Sequence, residues 1–337
     1  MKLPSGKVPP RVLKEIVFKN LGATRREVLI GPSHGLDGAV IEVGGKSLVA
    51  SMDPITGAMN RIGWLAVNIN ANDVATFGVQ PTFFSSCLLL PENAAEETVE
   101  TICRQIGACA KELGVAVIGG HSETTPNLRF PIVVGSCLGI TEKGRYVTSQ
   151  GAKTGNTLIL TKSAGMEGTA ILAIDRHAQL MEEIERADLK RAEEFFEHIS
   201  VVKEAILAFR TGHVRAMHDP TEGGVAGGLH ELADASSVGF KVYGDRIPIA
   251  VETLKVCEFF GIDPLQLTAS GSLLIAVEKA FADEVLEVLQ SSGIAAAVIG
   301  ELLSSPEKRL VVRKDGEVEK LVRPISDHLW AALNRPQ

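Results

Sequence analysis

The sequence has no surplus of positive charge: 34 Lys and Arg stand against 41 Asp and Glu, a net charge of −7. No overall field therefore draws it to DNA, RNA or an anionic membrane, and only a local basic cleft for a phosphorylated ligand stays compatible with the count. Cysteine is sparse too. Cys87, Cys103, Cys109, Cys137 and Cys257 are odd in number, lie mostly in apolar surroundings and form no CxxC pair, which reads as buried thiols in a reducing cytosol. No apolar run approaches the roughly 18 residues of a membrane span, and MKLPSGKVPPRVLKEIVFKN at the N-terminus is broken by prolines and lacks a signal core. A soluble, cytoplasmic protein is expected, without nucleic-acid or membrane partners.

The familiar nucleotide and hydrolase signatures are missing as well. GxGxxG after a strand is absent, and Gly45-Lys46-Ser47 has Val40 where a phosphate-binding P-loop needs glycine. HExxH, GxSxG and zinc-spaced Cys/His sets do not occur either.

What is present is globular composition, 45% hydrophobic and 22% charged, with 33 glycines marking turns and close backbone contacts. At roughly 100–200 residues per domain, 337 residues suggest two domains. The polar, turn-rich stretch 144–156 places the boundary, giving 1–150 and 151–337. In the first part, 38–52 alternates about Gly44-Gly45 as a hairpin. An apolar segment from Ile62 to Leu90 is interrupted by Asn68, Asn70, Asn72 and Asp73. After Pro91, Val99, Ile102, Ile106, Ala110 and Leu113 recur at helical spacing until Gly114. Val115–Ile118 reads as a buried strand running into GGHSETTP, and 131–140 as another. The second part reads as strands at 157–161, 239–242, 273–277 and 295–299, with helices over 179–210, 251–260 and 280–289. A helix–Gly–strand unit ending Val117-Ile118-Gly119 echoes one ending Val298-Ile299-Gly300.

Chemistry is carried by acids beside turns and strand ends: Asp37, Asp53, Asp73 and Glu123. Converging carboxylates suit Mg²⁺, which takes oxygen ligands and reaches substrate phosphates; solvated caps and turns are the alternative. Asn72 and Asp73 interrupt a stretch that wants burial, so they need partners, either a ligand or a helix end. Gly119-Gly120 lets backbone N–H groups approach a phosphate or simply makes a turn. Gly223-Gly224, after Asp219, forms an anion-binding helix start or an ordinary cap. His34, His121 and His218 lie in polar turns, and Lys162 follows a strand, where it meets a phosphate or solvent.

In order, GLDGAVI, SMDPITG, AVNINANDVATFGVQP, VIGGHSETTP, TKSAGMEGTA, AMHDPTEGGVAGGLHELADAS, GIDPLQLTASGSLLIAV and AAVIGEL resemble the aminoimidazole ribonucleotide (AIR) synthetase superfamily. Its members include the hydrogenase maturation factor HypE, selenophosphate synthetase and thiamine monophosphate kinase, and the hydrogenase maturation branch is the most similar. The resemblance implies a two-domain α+β fold: an N-terminal α/β domain with a mixed sheet that pairs with a second subunit, and a C-terminal α+β domain closing over the nucleotide. It also implies ATP and Mg²⁺. By position, Asp37, Asp53 and Asp73 resemble the acids that bind Mg²⁺ and phosphates, and Asn72 stands beside them. Gly119 and Gly120 resemble the glycine pair near the nucleotide, and Asp219, Gly223 and Gly224 match the C-terminal motif. Two departures stand out. His121 follows the glycine pair where relatives carry an acid, so that role has either passed to Glu123 or been lost, and LWAALNRPQ carries no cysteine where the maturation factor ends in a carbamoyl-accepting one. The expected activity is ATP-dependent phosphoryl transfer to an oxygen of a small substrate; the alternatives are a small-molecule kinase of the thiamine monophosphate type or a nucleotide-binding maturation partner with little turnover.

Overall fold

A computed structural model describes residue 3 and residues 6–335; Met1, Lys2, Pro4 and Ser5 of the N-terminal segment, and Pro336 and Gln337 of LWAALNRPQ, lie outside the described residues. The chain forms two compact units that change over between Tyr146 and Val147. One, the N-terminal unit, is Arg25–Gly31 with Asp37–Tyr146. The other, the C-terminal unit, runs from Val147 but also takes the residues up to Thr24 and Pro32–Leu36. The stretch 1–150 is therefore not one body: its leading segments belong with the later part of the chain.

A short helix, α1 (Pro10–Glu15), opens on proline, whose missing N–H is harmless in a first turn. The N-terminal unit then holds β1 (Val28–Ile30), β2 (Ala39–Val43), β3 (Lys46–Ile55), α2 (Ile62–Thr76), β4 (Pro81–Pro91), α3 (Glu96–Leu113), β5 (Ala116–Thr125) and β6 (Ile132–Glu142). Its six strands lie in the order β1-β2-β3-β6-β4-β5, antiparallel except for the parallel pair β4 and β5. The expected hairpin is β2–β3, turning through Gly44 and Gly45, both at positive φ. α3 buries Ile102, Ile106, Cys109 and Ala110 and ends on Gly114 in the left-handed conformation, as its spacing predicts.

Two elements differ from expectation. All of α2 is buried, so it has no polar face and no helical periodicity to read. β5 is the edge strand rather than a buried one, with Val117 49% and Ile118 58% exposed. The thiols also divide: Cys109, Cys137 and Cys257 are buried, Cys87 is half-buried, and Cys103 is exposed, contrary to a uniformly buried set.

The C-terminal unit holds β7 (Thr157–Thr161), α4 (Met166–Asp175), α5 (His177–Leu180), α6 (Arg186–Glu194), α7 (Val202–Arg210), β8 (Val214–His218), α8 (Gly224–Ala235), β9 (Gly239–Tyr243), α9 (Val251–Phe260), β10 (Leu274–Val277), α10 (Ala282–Ser291), β11 (Ala296–Leu303), β12 (Arg309–Val312), β13 (Val318–Lys320) and α11 (His328–Leu333). Its seven strands run β13-β12-β9-β11-β7-β10-β8, again mixed, because β12 and β9 are parallel. Leu158, Leu160, Val225, Leu229, Phe240 and Leu274 belong to the core that joins this sheet to α8. No helix among the described residues is long and apolar enough to cross a membrane.

Gly120 pairs with Ser86 of β4, and a Cβ there would collide with the Ser86 carbonyl; Gly119 meets no such neighbour. Gly120→Ala should therefore destabilise the protein by about 2 kcal/mol more than Gly119→Ala, since only the former must push two paired strands apart. Urea denaturation of the two variants checks this, and equal losses would contradict it.

Candidate functional site

α2 brings the polar cluster into the N-terminal unit's interior, and the helix divides it between two faces. Asn68 donates through Nδ2 to the Trp64 carbonyl (3.1 Å) and to Cys109 Sγ on α3 (3.1 Å). Asn72 lies one turn further on that same face, by the i,i+4 rule. Asn70 serves the other face. Its Oδ1 accepts from the Asp53 backbone N–H (2.9 Å), while its Nδ2 donates to the carbonyls of Asp53 (3.2 Å) and Ala66 (2.9 Å). Ser51 Oγ donates to the Asn70 carbonyl at 2.8 Å, a second tie between β3 and α2. Asp73 stands one turn beyond Asn70 on the face toward β3 and is 4% exposed. Asp53 is half-buried in β3, opposite Gly135 of β6, and Asp37 is half-buried just before β2.

The acids expected to share one cation do not form a single cluster in this unit. Asp53, Gly135, Ser86 and Gly120 occupy one row across β3, β6, β4 and β5. Three strand spacings, roughly 14 Å, therefore separate Asp53 from β5, where Glu123 stands a further three residues along. Glu123 instead pairs with His121 on the exposed edge, Oε2 to Nε2 at 3.2 Å, and accepts from Thr125 Oγ1 at 3.3 Å. His121 and Glu123 thus act together as a surface pair, and Glu123 is not a co-ligand of Asp53 within one chain.

In the C-terminal unit, β8 delivers His218 and Asp219 into a turn that ends on Gly223 and Gly224, both at positive φ, where α8 starts. Gly224 has no room for a side chain, with the Leu267 carbonyl at 2.5 Å and that of Leu265 at 2.6 Å from a Cβ placed there. The Gly223 N–H donates to Asp327 Oδ2 at 2.6 Å; Asp327 Oδ1 accepts from Leu329 N–H (2.7 Å) and Thr268 N–H (3.2 Å). The chain's own carboxylate thus occupies part of the helix start expected to receive an anion. Buried His218 pairs through Nε2 with Glu231 Oε2 at 3.0 Å. Burial opposes ionisation of Glu231, yet Lys7, His218 and His34 together hold its carboxyl below the usual range. His34 lies 3.5 Å from Asp234, which also binds Arg309 (2.7 Å) and Arg323.

Lys162 does not serve a phosphate. Its ammonium is spent internally, on Glu204 Oε1 (2.7 Å) and on the carbonyls of His198 (2.9 Å) and Ser200 (2.6 Å), three acceptors for three donors. Asp327, Glu231 and Asp234 lie outside the sequence-derived candidates; the one local signal for any of them is that an Asp just before a short apolar run, as at Asp327, suits a helix N-cap.

With this geometry in hand, the fold class is a two-domain α+β one with a mixed sheet in each unit. AIR synthase related protein, N-terminal domain, matches residues 35–141, and AIR synthase related protein, C-terminal domain, matches residues 153–313. A Methanocaldococcus jannaschii protein assigned to hydrogenase expression and formation is 32% identical over 302 residues, 88% of each chain. Carbamoyl dehydratase HypE of Rhizobium leguminosarum is 30% identical over 281 residues, covering 80% of this chain and 77% of that one. The chain belongs to the AIR synthase related family and is similar to its hydrogenase maturation members. Among solved structures, a chain of a HypE–HypF complex superposes with TM-score 0.77 at 23% identity, over 93% of this chain and 99% of that one. HypE in complex with ATP gives 0.73 at 22%, over 97% and 98%. ThiL complexed with AMPPCP and TMP gives 0.73 at 19%, over 96% and 99%. These likenesses establish the fold.

Burial pushes the Asp327 carboxyl up to about 7 against the pull of its three N–H partners, and Glu222 pushes the same way. Its proton is held more tightly folded than unfolded, where the value is about 3.9, so its stabilising contribution is complete below that pH and lost as pH rises through about 7. Asp327→Asn removes this titration. The stability of the wild-type protein minus that of the variant should fall by a few kcal/mol between about pH 4 and pH 8. Urea denaturation across that range measures it, and a flat difference would refute the assignment.

Proposed function

We propose that the protein is an ATP-dependent enzyme that activates an oxygen of a small substrate by phosphoryl transfer. The substrate oxygen bonds to the γ-phosphorus as the bond to ADP breaks, and the phosphorylated oxygen then leaves or is released as product. The observation that carries this reading is the carboxylate of Asp73, set on a wholly buried helix beside a strand that presents Asp53. A set of carboxylate oxygens fits Mg²⁺, which takes oxygen ligands and bridges to nucleotide phosphates. Asp37, Asp53 and Asp73 would hold the ion, which when bound neutralises charge on the nucleotide phosphates. Asn72, Gly119, Gly120 and His121 in the N-terminal unit, and Asp219, Gly223 and Gly224 in the C-terminal unit, are proposed nucleotide contacts on the family resemblance.

The relatives support ATP use: carbamoyl dehydratase HypE belongs to the family, and a HypE structure contains ATP. A maturation-protein partner is likewise proposed from the HypE–HypF complex. The thiols fit poorly as acceptors of a carbamoyl group. Burial pushes Cys137 and Cys257 up to about 12, which suppresses the nucleophilic thiolate, and Cys109 is buried too, leaving exposed Cys103 and half-buried Cys87. This favours activation of a substrate oxygen outside the protein over carbamoyl transfer to one of these five sulfurs.

Asp73→Asn should weaken binding of ATP in the presence of Mg²⁺ by about tenfold or more, because a charge-assisted contact is lost. Calorimetry with ATP and Mg²⁺, beside circular dichroism to verify folding, tests it; unchanged affinity in a folded variant removes Asp73 from the site.

A homodimer through the N-terminal unit is also proposed. α2 and α3 leave the sheet's other face carrying Leu48, Met52, Phe83, Leu138 and Ile140, all half-buried or exposed, and β5 presents an open ten-residue edge. Exposed apolar faces and long edges invite pairing, and a second copy covers both. Light scattering at micromolar concentration should give twice the chain mass, and a monomer would contradict the proposal.

A further inference from the structure

We propose that Asn70 is a positioning residue that sets where the Asp53 carboxylate stands in the nucleotide-phosphate site, an inference resting on the reading of Asp53 and Asp73 given above. Asn70 is fully buried, and its carboxamide grips both backbone polar groups of Asp53, at 2.9 and 3.2 Å. Pairing of β3 with β2 ends at Ala50 opposite Ala39, so from Ser51 onward β3 has lost that neighbour. The Asn70 side chain supplies there the paired acceptor and donor that a strand would supply, and so fixes the backbone of Asp53 directly from α2.

The surroundings are built to admit this side chain. Gly135 stands opposite Asp53, and a Cβ on it would collide with Asn70 Nδ2. The remaining donor of the carboxamide returns to Ala66 at 2.9 Å, within the same helix, so the group cannot swing without abandoning buried partners. Asp73 is one turn away on the same face. One rigid helix therefore carries one acid and holds the backbone of the other, which fixes the spacing of two carboxylates offered to a single ion. Asn68 provides the contrast: equally buried on the same helix, it bonds Trp64 and Cys109 and does not touch Asp53.

The test is the Mg²⁺ dependence of ATP binding, measured by calorimetry on Asn70→Ala, Asn68→Ala, Asp53→Asn and the double variant Asn70→Ala with Asp53→Asn, alongside melting temperature. Asn70→Ala should raise the Mg²⁺ concentration for half-maximal binding about three- to tenfold, the scale of one lost hydrogen-bonded pair. Asn68→Ala should lower the melting temperature by a similar amount yet leave the Mg²⁺ dependence in place. In the Asp53→Asn background, Asn70→Ala should add little, because its effect passes through Asp53. If Asn70→Ala does not fold, Asn70→Ser, which is too short to hold both backbone groups of Asp53 yet can still bond the Ala66 carbonyl, takes its place, and a shift in the same direction is expected. A change in melting temperature alone, or an undiminished shift in the Asp53→Asn background, overturns the positioning role. Should Asp53→Asn itself leave the Mg²⁺ dependence unchanged, the reading of Asp53 as a ligand fails, and this role with it.

Discussion

A helix buried on every side has no water with which to satisfy its polar groups, and α2 is such a helix. Leaving one buried amide unpaired costs about 1–3 kcal/mol, so each asparagine on α2 must reach a partner on a particular neighbour. Asn70 reaches β3 and Asn68 reaches α3. The register of helix against sheet is thereby fixed by directional bonds, where apolar packing alone would tolerate small slips. The arrangement of Asp53 and Asp73 follows from that register.

The C-terminal unit solves a different problem, the anchoring of segments distant in sequence. α8 is its hub. Glu231 collects Lys7 and His218, and Asp234 collects His34, Arg309 and Arg323, so residues from both ends of the chain close on one helix. At the start of the same helix, Asp327 ties α11 to Gly223 and Thr268. These carboxylates hold a fold together, whereas those of the N-terminal unit are proposed to meet a ligand; residue type alone does not separate the two uses.

Local pattern carried much of the fold. The β2–β3 hairpin and α3 announce themselves by alternation, by helical spacing and by glycine at the turn or cap, all of which act within a few residues. Family resemblance carried the two-unit α+β architecture. α2 was not legible as a helix, because uniform burial erases the periodicity that reveals one. The apolar run Val115–Ile118 reads as buried, yet β5 is an edge strand; whether a strand lies at an edge depends on sheet order, which no short window contains. Lys162 shows the same limit in the site, since its acceptors Glu204, His198 and Ser200 come from a segment some 36–42 residues later. Asn70 lay in a cluster visible in the sequence, but its grip on Asp53 depends on the pairing of helix and strand.

The proposed function requires α2 and β3 to present carboxylates jointly to Mg²⁺ and nucleotide phosphate. A crystal structure with Mg²⁺ and a non-hydrolysable ATP analogue tests this most directly. The ion should be held by Asp53 or Asp73, with carboxylate oxygens about 2.0–2.1 Å away or one water removed, and Asn70 should still bond the Asp53 backbone. A nucleotide whose phosphates and metal lie away from both carboxylates would contradict it.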